Sequence, residues 1–408
     1  MRIRSITYFL HPRYPFSELL LRKAGIFTQH AKQNFEAAGY EVQTVRLATP
    51  AFPDYLHEDD FLRAAIQFEV LTHGEGFDYV SMGPATPDKL VAYQAIPQLL
   101  ANSGILFFSG FLTTGGKEIS LAAIKACAQV IHQAAPLETN GFANLRFAAL
   151  ANVPPWGPFF PAAYHQGKSP AFALAIEAAD LAVAAFSKAE SLTHAQDLLI
   201  KSIESHAHKL EALCDVLENT YQVRFKGLDF STAPFPSPSI SIGNALEQLG
   251  LPAVGLAGSL TTATILMDAM DRARFKRTGF NGLMFPMLED AIFAQRGAEG
   301  TLRLTDFLLY SAVCGTGLDT IPIPGDASPD QIQAVLMDVA ALALRLDKPL
   351  TARLMPIPGK KSGDAIRFNF EYFANSKVIS LEAQPLRHLL SSDEQLRILP
   401  RTPLQSDS

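Results

Sequence analysis

Short apolar runs alternate with longer amphipathic stretches along almost the whole chain. Residues 3–10 read as a buried strand, and residues 16–38 as a helix stopped at Gly39. Further strands are predicted at 41–47, 79–82, 105–108, 146–150 and 226–230. Helices are predicted at 57–73, 87–101 and 117–133, and two more within 170–221. Strands separated by helices cannot join as hairpins, because each needs a crossover to reach its neighbour. The expected class is therefore α/β with many parallel pairings.

Of the 408 residues, 48% are hydrophobic and 18% charged, which provides a large core and excludes wholesale disorder. Lys and Arg number 34 against 40 Asp and Glu, with no basic run, so nucleic-acid binding is not expected. Cys127, Cys214 and Cys314 are too far apart for a CxxC pair, which fits a reducing, cytoplasmic setting. The apolar part of the N-terminus stops at His11-Pro12, too short for a signal sequence. No apolar stretch approaches the roughly 18 residues of a membrane span. No polar linker divides the chain. The loop 152–161 carries the single Trp and four prolines, and its aromatic character suits packing against the body. One domain is expected over 1–380, followed by an extension over 381–408, polar and poorly ordered from Ser391. A weak repeat pairs Gly110-Phe111-Leu112-Thr113-Thr114 with Gly258-Ser259-Leu260-Thr261-Thr262, as would befit two related halves around a cavity.

Familiar cofactor and hydrolase signatures fail. Gly315-Thr316-Gly317 lacks the third glycine of a dinucleotide fingerprint, and Glu118 stands where a phosphate loop needs Ser or Thr. Neither GxSxG nor HExxH occurs. Several loops nevertheless carry chemistry-bearing residues. In 228–238, three prolines stiffen a loop bearing Ser231 and Thr232. Ser259, Thr261 and Thr262 sit where a strand is expected to pass into a helix, whose amides suit an anion or a cap. Glu289 and Asp290 are adjacent carboxylates at a helix start. Cys314 is followed by Gly315, Gly317 and Asp319, where glycines allow a ligand close to the backbone. Arg353 precedes a Gly-bounded turn with Lys360 and Lys361, fit to clamp a carboxylate or phosphate.

Together these loops resemble an uncharacterised prokaryotic domain-of-unknown-function family. The shared pattern is Asp-x-Ser-x-Ala-Pro at 229–234, the Thr-rich turn at 255–262, Cys-x-x-Gly-Leu-Asp at 314–319 and Pro-Gly-Lys-Lys-x-Gly-Asp at 358–364. Pro158-Phe159-Phe160-Pro161-Ala162-Ala163-Tyr164-His165 resembles its aromatic stretch ending in histidine. The resemblance is strongest from about residue 145 to 370. It implies a pyruvate formate-lyase-like α/β barrel of ten strands in two five-stranded halves, and a small ACT-domain protein as a genomic neighbour and possible partner. Glycyl radical enzymes of that fold carry a glycine motif near the C-terminus. Here the last glycine is Gly363, so radical chemistry is not expected. The functional expectation is an enzyme acting on a small anionic metabolite inside the barrel. Cys314 would be the reactive group, His165 and Glu289 or Asp290 the acid/base groups, and the 359–364 loop with Thr261 and Thr262 the anion clamp. The alternative is a non-enzymatic sensor or partner-binding protein. No cofactor is expected, a divalent metal is left open, and self-association into a homo-oligomer is anticipated.

Overall fold

A computed structural model describes residues 1–401. In chain order its first strands and helices are β1 (Arg2–Phe9), α1 (Glu18–Ala37), β2 (Val42–Ala48), α2 (Phe61–Gly74), β3 (Tyr79–Ala85), α3 (Leu90–Ala101) and β4 (Leu106–Phe111). The short β5 (Thr113–Thr114) and β6 (Glu118–Ser120) precede α4 (Leu121–Ala134) and β7 (Phe147–Ala151). Next come β8 (Ala171–Glu177), α5 (Ala179–Ser187), α6 (Leu192–Tyr221) and β9 (Arg224–Asp229). Four helices follow: α7 (Ile242–Gln248), α8 (Ser259–Arg272), α9 (Ala291–Glu299) and α10 (Leu304–Tyr310). The series closes with β10 (Gly317–Pro324), α11 (Pro329–Arg345) and β11 (Leu350–Ile357).

Nine strands form one sheet in the order β10-β11-β7-β4-β3-β2-β1-β8-β9. From β7 to β1 all neighbours are parallel, as the alternation with helices requires. Direction reverses twice, where β8 pairs antiparallel with β1 and β11 with β7. The two later pairs, β8/β9 and β10/β11, are each parallel internally and flank the earlier five strands. The hydrogen-bonded ladder is open, with β9 and β10 as its edges. Between them runs the segment 275–288. It makes one parallel bridge from Arg277 to Leu228 and another from Pro286 to Asp319.

Period-two alternation assigns each strand two faces. Ile3, Ile6 and Tyr8 of β1, Val45 and Leu47 of β2, and Leu106 and Phe108 of β4 pack into the main core with the helices. The other face carries Phe9, Ala48, Phe107, Ala171 and Ala173, which pack on Phe160 and Ala163 of the aromatic loop. Leu150 and Ala148 meet Ala162 of the same loop. The loop thus folds against the inner face of the sheet, as its aromatic composition predicts. Pro158 O accepts from Thr7 Oγ1 (3.5 Å) and Ala163 O from Ser81 Oγ (2.7 Å), which fix its path.

Four expectations change. Residues 171–177 form a strand, not helix: Ala-Phe-Ala-Leu-Ala-Ile-Glu is Ala-rich, and pairing with β1 overrides its helix propensity. Residues 113–120 hold β5 and β6 ahead of α4, which starts only at Leu121. No strand precedes Ser259, and Gly258 with φ +107° is the N-cap of α8. The repeat pairs the end of β4 with that helix start, so it joins unlike elements. In the extension, Gln395–Arg397 pairs antiparallel with β6, and Lys125 meets Asp393 at 2.7 Å. The part of the expected disordered tail from 402 to 408 lies outside the described residues. Among the described residues no helix is long and apolar enough to cross a membrane.

Candidate ligand cavity

The aromatic loop leaves space on the inner face. A cavity of about 100 Å³ is lined by Arg4 of β1, Thr44 and Arg46 of β2, Phe107 of β4 and Arg353 of β11. Phe159 and Phe160 of the loop, Glu289, and Phe370 and Tyr372 of the C-terminal segment complete much of the wall. The strand pattern places the arginines here. With Val45 and Leu47 turned to the helices, Arg46 takes the inner face, and Arg353 does so between Ala352 and Leu354.

Three arginines meet in the cavity wall, but they are not equivalent. Arg353 is fully committed: Nε donates to Asp319 Oδ1 (2.6 Å), Nη2 to Glu289 Oε1 (2.9 Å), and Nη1 to Leu145 O (3.4 Å). The second oxygen of Glu289 pairs with Arg4, whose other Nη reaches Pro234 O. Burial would raise the Glu289 pKa, but Arg4 and Arg353 together hold it below the ordinary value. Asp319 goes the other way, raised by burial and by the charge of Glu289 against the pull of Arg353. Its Oδ2 has no partner among the described residues.

Arg46 has no carboxylate partner among the described residues. Its Nε donates to Thr44 Oγ1 (2.9 Å), and its guanidinium lies 5.6 Å from the Tyr79 ring and 5.1 Å from Phe160. Burial, reinforced by Arg4, lowers its pKa. Cation–π contact offsets only part of the cost of taking a charge out of water. An anion in the cavity would recover more. The arrangement therefore has the chemistry of an anion receptor.

Of the predicted site residues, the structure brings Ser231, Glu289, Asp319 and Arg353 to this cavity or directly behind it. Ser231 lines it while donating to Asp229, whose carboxylate also accepts from the amides of Phe280 and Asn281 at 3.0 Å. Thr232 is buried beside it, outside the lining, with its hydroxyl unpartnered among the described residues. Asp290, adjacent to Glu289, points elsewhere. It accepts from Ser241 Oγ (2.7 Å) and from the amides of Ile242, Gly243, Ile292 and Phe293, tying together the starts of α7 and α9. Its role here is capping.

Cys314 lies in the apolar core, fully buried and away from the cavity lining. The glycine beside it serves packing: a Cβ on Gly315 would run into the backbone of Gly282. Gly317, φ +97°, lies similarly close to the Thr351 backbone. His165 is buried against Trp156 (ring centroids 4.9 Å apart), with both ring nitrogens unpartnered among the described residues. It does not line the cavity, and burial lowers its pKa to about 4. Ser259 Oγ bonds back to Leu256 O and Gly255 N in the turn ahead of α8, and Thr262 Oγ1 donates to Ser259 O in its first turn. Thr261 is exposed, and the Lys360-Lys361 turn faces solvent. Neither the α8 turn nor the lysine turn contributes to the cavity wall. Among the described residues no three His, Cys, Asp or Glu side chains form a group fit for a metal ion.

The residues absent from the sequence-based expectation are Arg4 and Arg46. Their signal was arginine at alternate positions of otherwise apolar strands, Arg2-Ile3-Arg4 and Val45-Arg46-Leu47.

Comparison with known proteins agrees with the loop resemblance. The family described as Uncharacterised ACR (DUF711) matches residues 1–374, including the stretch before residue 145. A UPF0210 protein of Pyrobaculum aerophilum is 36% identical over 279 residues, covering 65% of this chain and 60% of the relative. A UPF0210 protein of Pyrobaculum arsenaticum is 31% identical over 347 residues, covering 80% of this chain and 76% of the relative. One from Neisseria gonorrhoeae is 26% identical over 301 residues, with 72% and 67% covered. The chain thus spans less than two thirds of the length of the Pyrobaculum aerophilum relative. A family match running from residue 1 to 374 makes this chain a member of the uncharacterised DUF711 family, whose relatives here carry the name UPF0210.

Proposed function

We propose that this protein binds a small anionic metabolite in the cavity, with Arg46 as the receptor cation. The observation that carries the proposal is a half-buried guanidinium in the cavity wall, flanked by two aromatic rings, with no carboxylate partner among the described residues. The surrounding sheet is proposed to close as a ten-stranded barrel, with 275–288 as the tenth strand. Bonds from Leu228 N to Lys276 O (2.8 Å), Thr278 N to Leu228 O (3.1 Å) and Met287 N to Asp319 O (3.1 Å) support that reading. The cavity wall favours recognition over covalent catalysis, because Cys314 and His165 lie outside it and Glu289 is held by two arginines. Calorimetric titration at constant ionic strength with acetate, lactate, sulfate and phosphate tests the proposal. Arg46→Gln should weaken the best of these anions about tenfold or more, the worth of one charged hydrogen-bonded contact. Equal binding by parent and variant would refute it.

A further inference from the structure

Resting on that anion reading, we infer that the ligand is a small monocarboxylate with a compact apolar body. Three observations select this class. First, the Nε of Arg46 is occupied by Thr44 and its rings are Tyr79 and Phe160, which leaves the two Nη groups as its uncommitted donors. Two such donors in one plane form a fork that matches the two oxygens of a carboxylate.

Second, the other two arginines are already spent. Arg4 is paired with Glu289, and Arg353 with Glu289 and Asp319. A phosphate dianion would meet one uncommitted guanidinium together with the negative charge of Glu289. A carboxylate needs only the one guanidinium. Third, most of the remaining wall is apolar, Phe107, Ile176, Met284 and Phe370 among it, with Gln43, Asp229 and Ser231 as its polar interruptions. Such a surface repays a ligand for removing hydrocarbon from water, and the carboxylates of Asp229 and Glu289 in the wall disfavour a second negative charge.

Size narrows the class. An apolar cavity of roughly 150 Å³ admits the six carbons of benzene, so a space of about 100 Å³ takes about four non-hydrogen atoms, and a longer branch reaches into the cavity's open side. Branched short-chain carboxylates meet all three conditions.

The test uses the full-length protein, with isovalerate, isovaleramide, acetate and inorganic phosphate as probes at constant ionic strength. Affinity is read by calorimetry and Tm by thermal denaturation. Isovalerate should bind and raise Tm. Isovaleramide, equal in shape but neutral, should bind at least tenfold more weakly, and so should acetate, which lacks the apolar body. Arg46→Gln should lose isovalerate binding, and Arg46→Lys, with charge but no fork, should recover only part of it. Phosphate or acetate binding through Arg46 as tightly as isovalerate overturns the monocarboxylate inference while leaving the anion reading intact. Isovalerate binding unchanged in both Arg46 variants, or no response to any anion, overturns both.

Discussion

Two buried side chains, His165 and Cys314, show how burial decides chemistry residue by residue. The His165 imidazole, against Trp156 and with no partner for either nitrogen among the described residues, titrates near 4 instead of its ordinary 6.5. Above pH 7 it is neutral folded and unfolded, and contributes no pH dependence. As pH falls from about 6.5 towards 4, the unfolded chain takes up a proton that the folded protein refuses, so stability declines. His165→Phe should remove this penalty, on the order of 2–3 kcal/mol across that window. Urea denaturation of parent and variant at pH 7.5 and 4.5 checks it, and parallel losses in the two proteins would contradict it. Cys127, Cys214 and Cys314 are all fully buried. A thiol-reactive reagent should label none of them in the native protein and all three in denaturant, with or without an anion present. Selective native labelling of Cys314 would bring its sulfur back into the chemistry.

Among the secondary-structure elements, Asp290 does most to fix local geometry. One carboxylate receives amides of the first turns of α7 and α9 and the Ser241 hydroxyl, so two helices are oriented from a single point beside the cavity residue Glu289. Burial raises its pKa, while Ser241 and the amides pull it back. Asp290→Ala leaves those donors buried without an acceptor and should cost about 3 kcal/mol, the sum of two lost caps. Asp290→Asn keeps an acceptor and should cost less. The midpoint of urea unfolding separates the two. A near-neutral alanine variant would mean that the helix starts find other partners.

Across the whole molecule, the cavity is built from both parts of the sheet. Arg4 and Arg46 come from the early parallel strands, and Glu289 and Arg353 from the late segments. The proposed closure between β9 and β10 carries its own expectation in amide exchange. The amides of Leu228, Thr278 and Met287 should exchange as slowly as those of the central strands, because a closed sheet leaves no fraying edge. Fast exchange at all three would describe an open sheet with a loosely attached segment.

Much of the architecture was legible in the residues, since alternating elements imply an α/β sheet with parallel neighbours and the aromatic loop implies a segment packed on the body. Glu289, Asp319 and Arg353 were also singled out in the sequence, as one of two adjacent carboxylates, as the aspartate after the Cys314 glycines and as the arginine before the lysine turn. The sequence could not separate Glu289 from its neighbour Asp290. One meets Arg4 and Arg353 while the other caps helices, a division made by contacts up to 285 residues apart in the chain. Nor could it show β8, because a strand rich in alanine and buried on both faces carries no polar alternation to distinguish it from helix. Arg46 was hidden for the converse reason. A polar residue alternating with Val45 and Leu47 looks the same whether its face meets solvent or a cavity. Only the tertiary structure decides that: the aromatic loop folds over that face, takes Arg46 partly out of water, and leaves its charge without a carboxylate partner among the described residues.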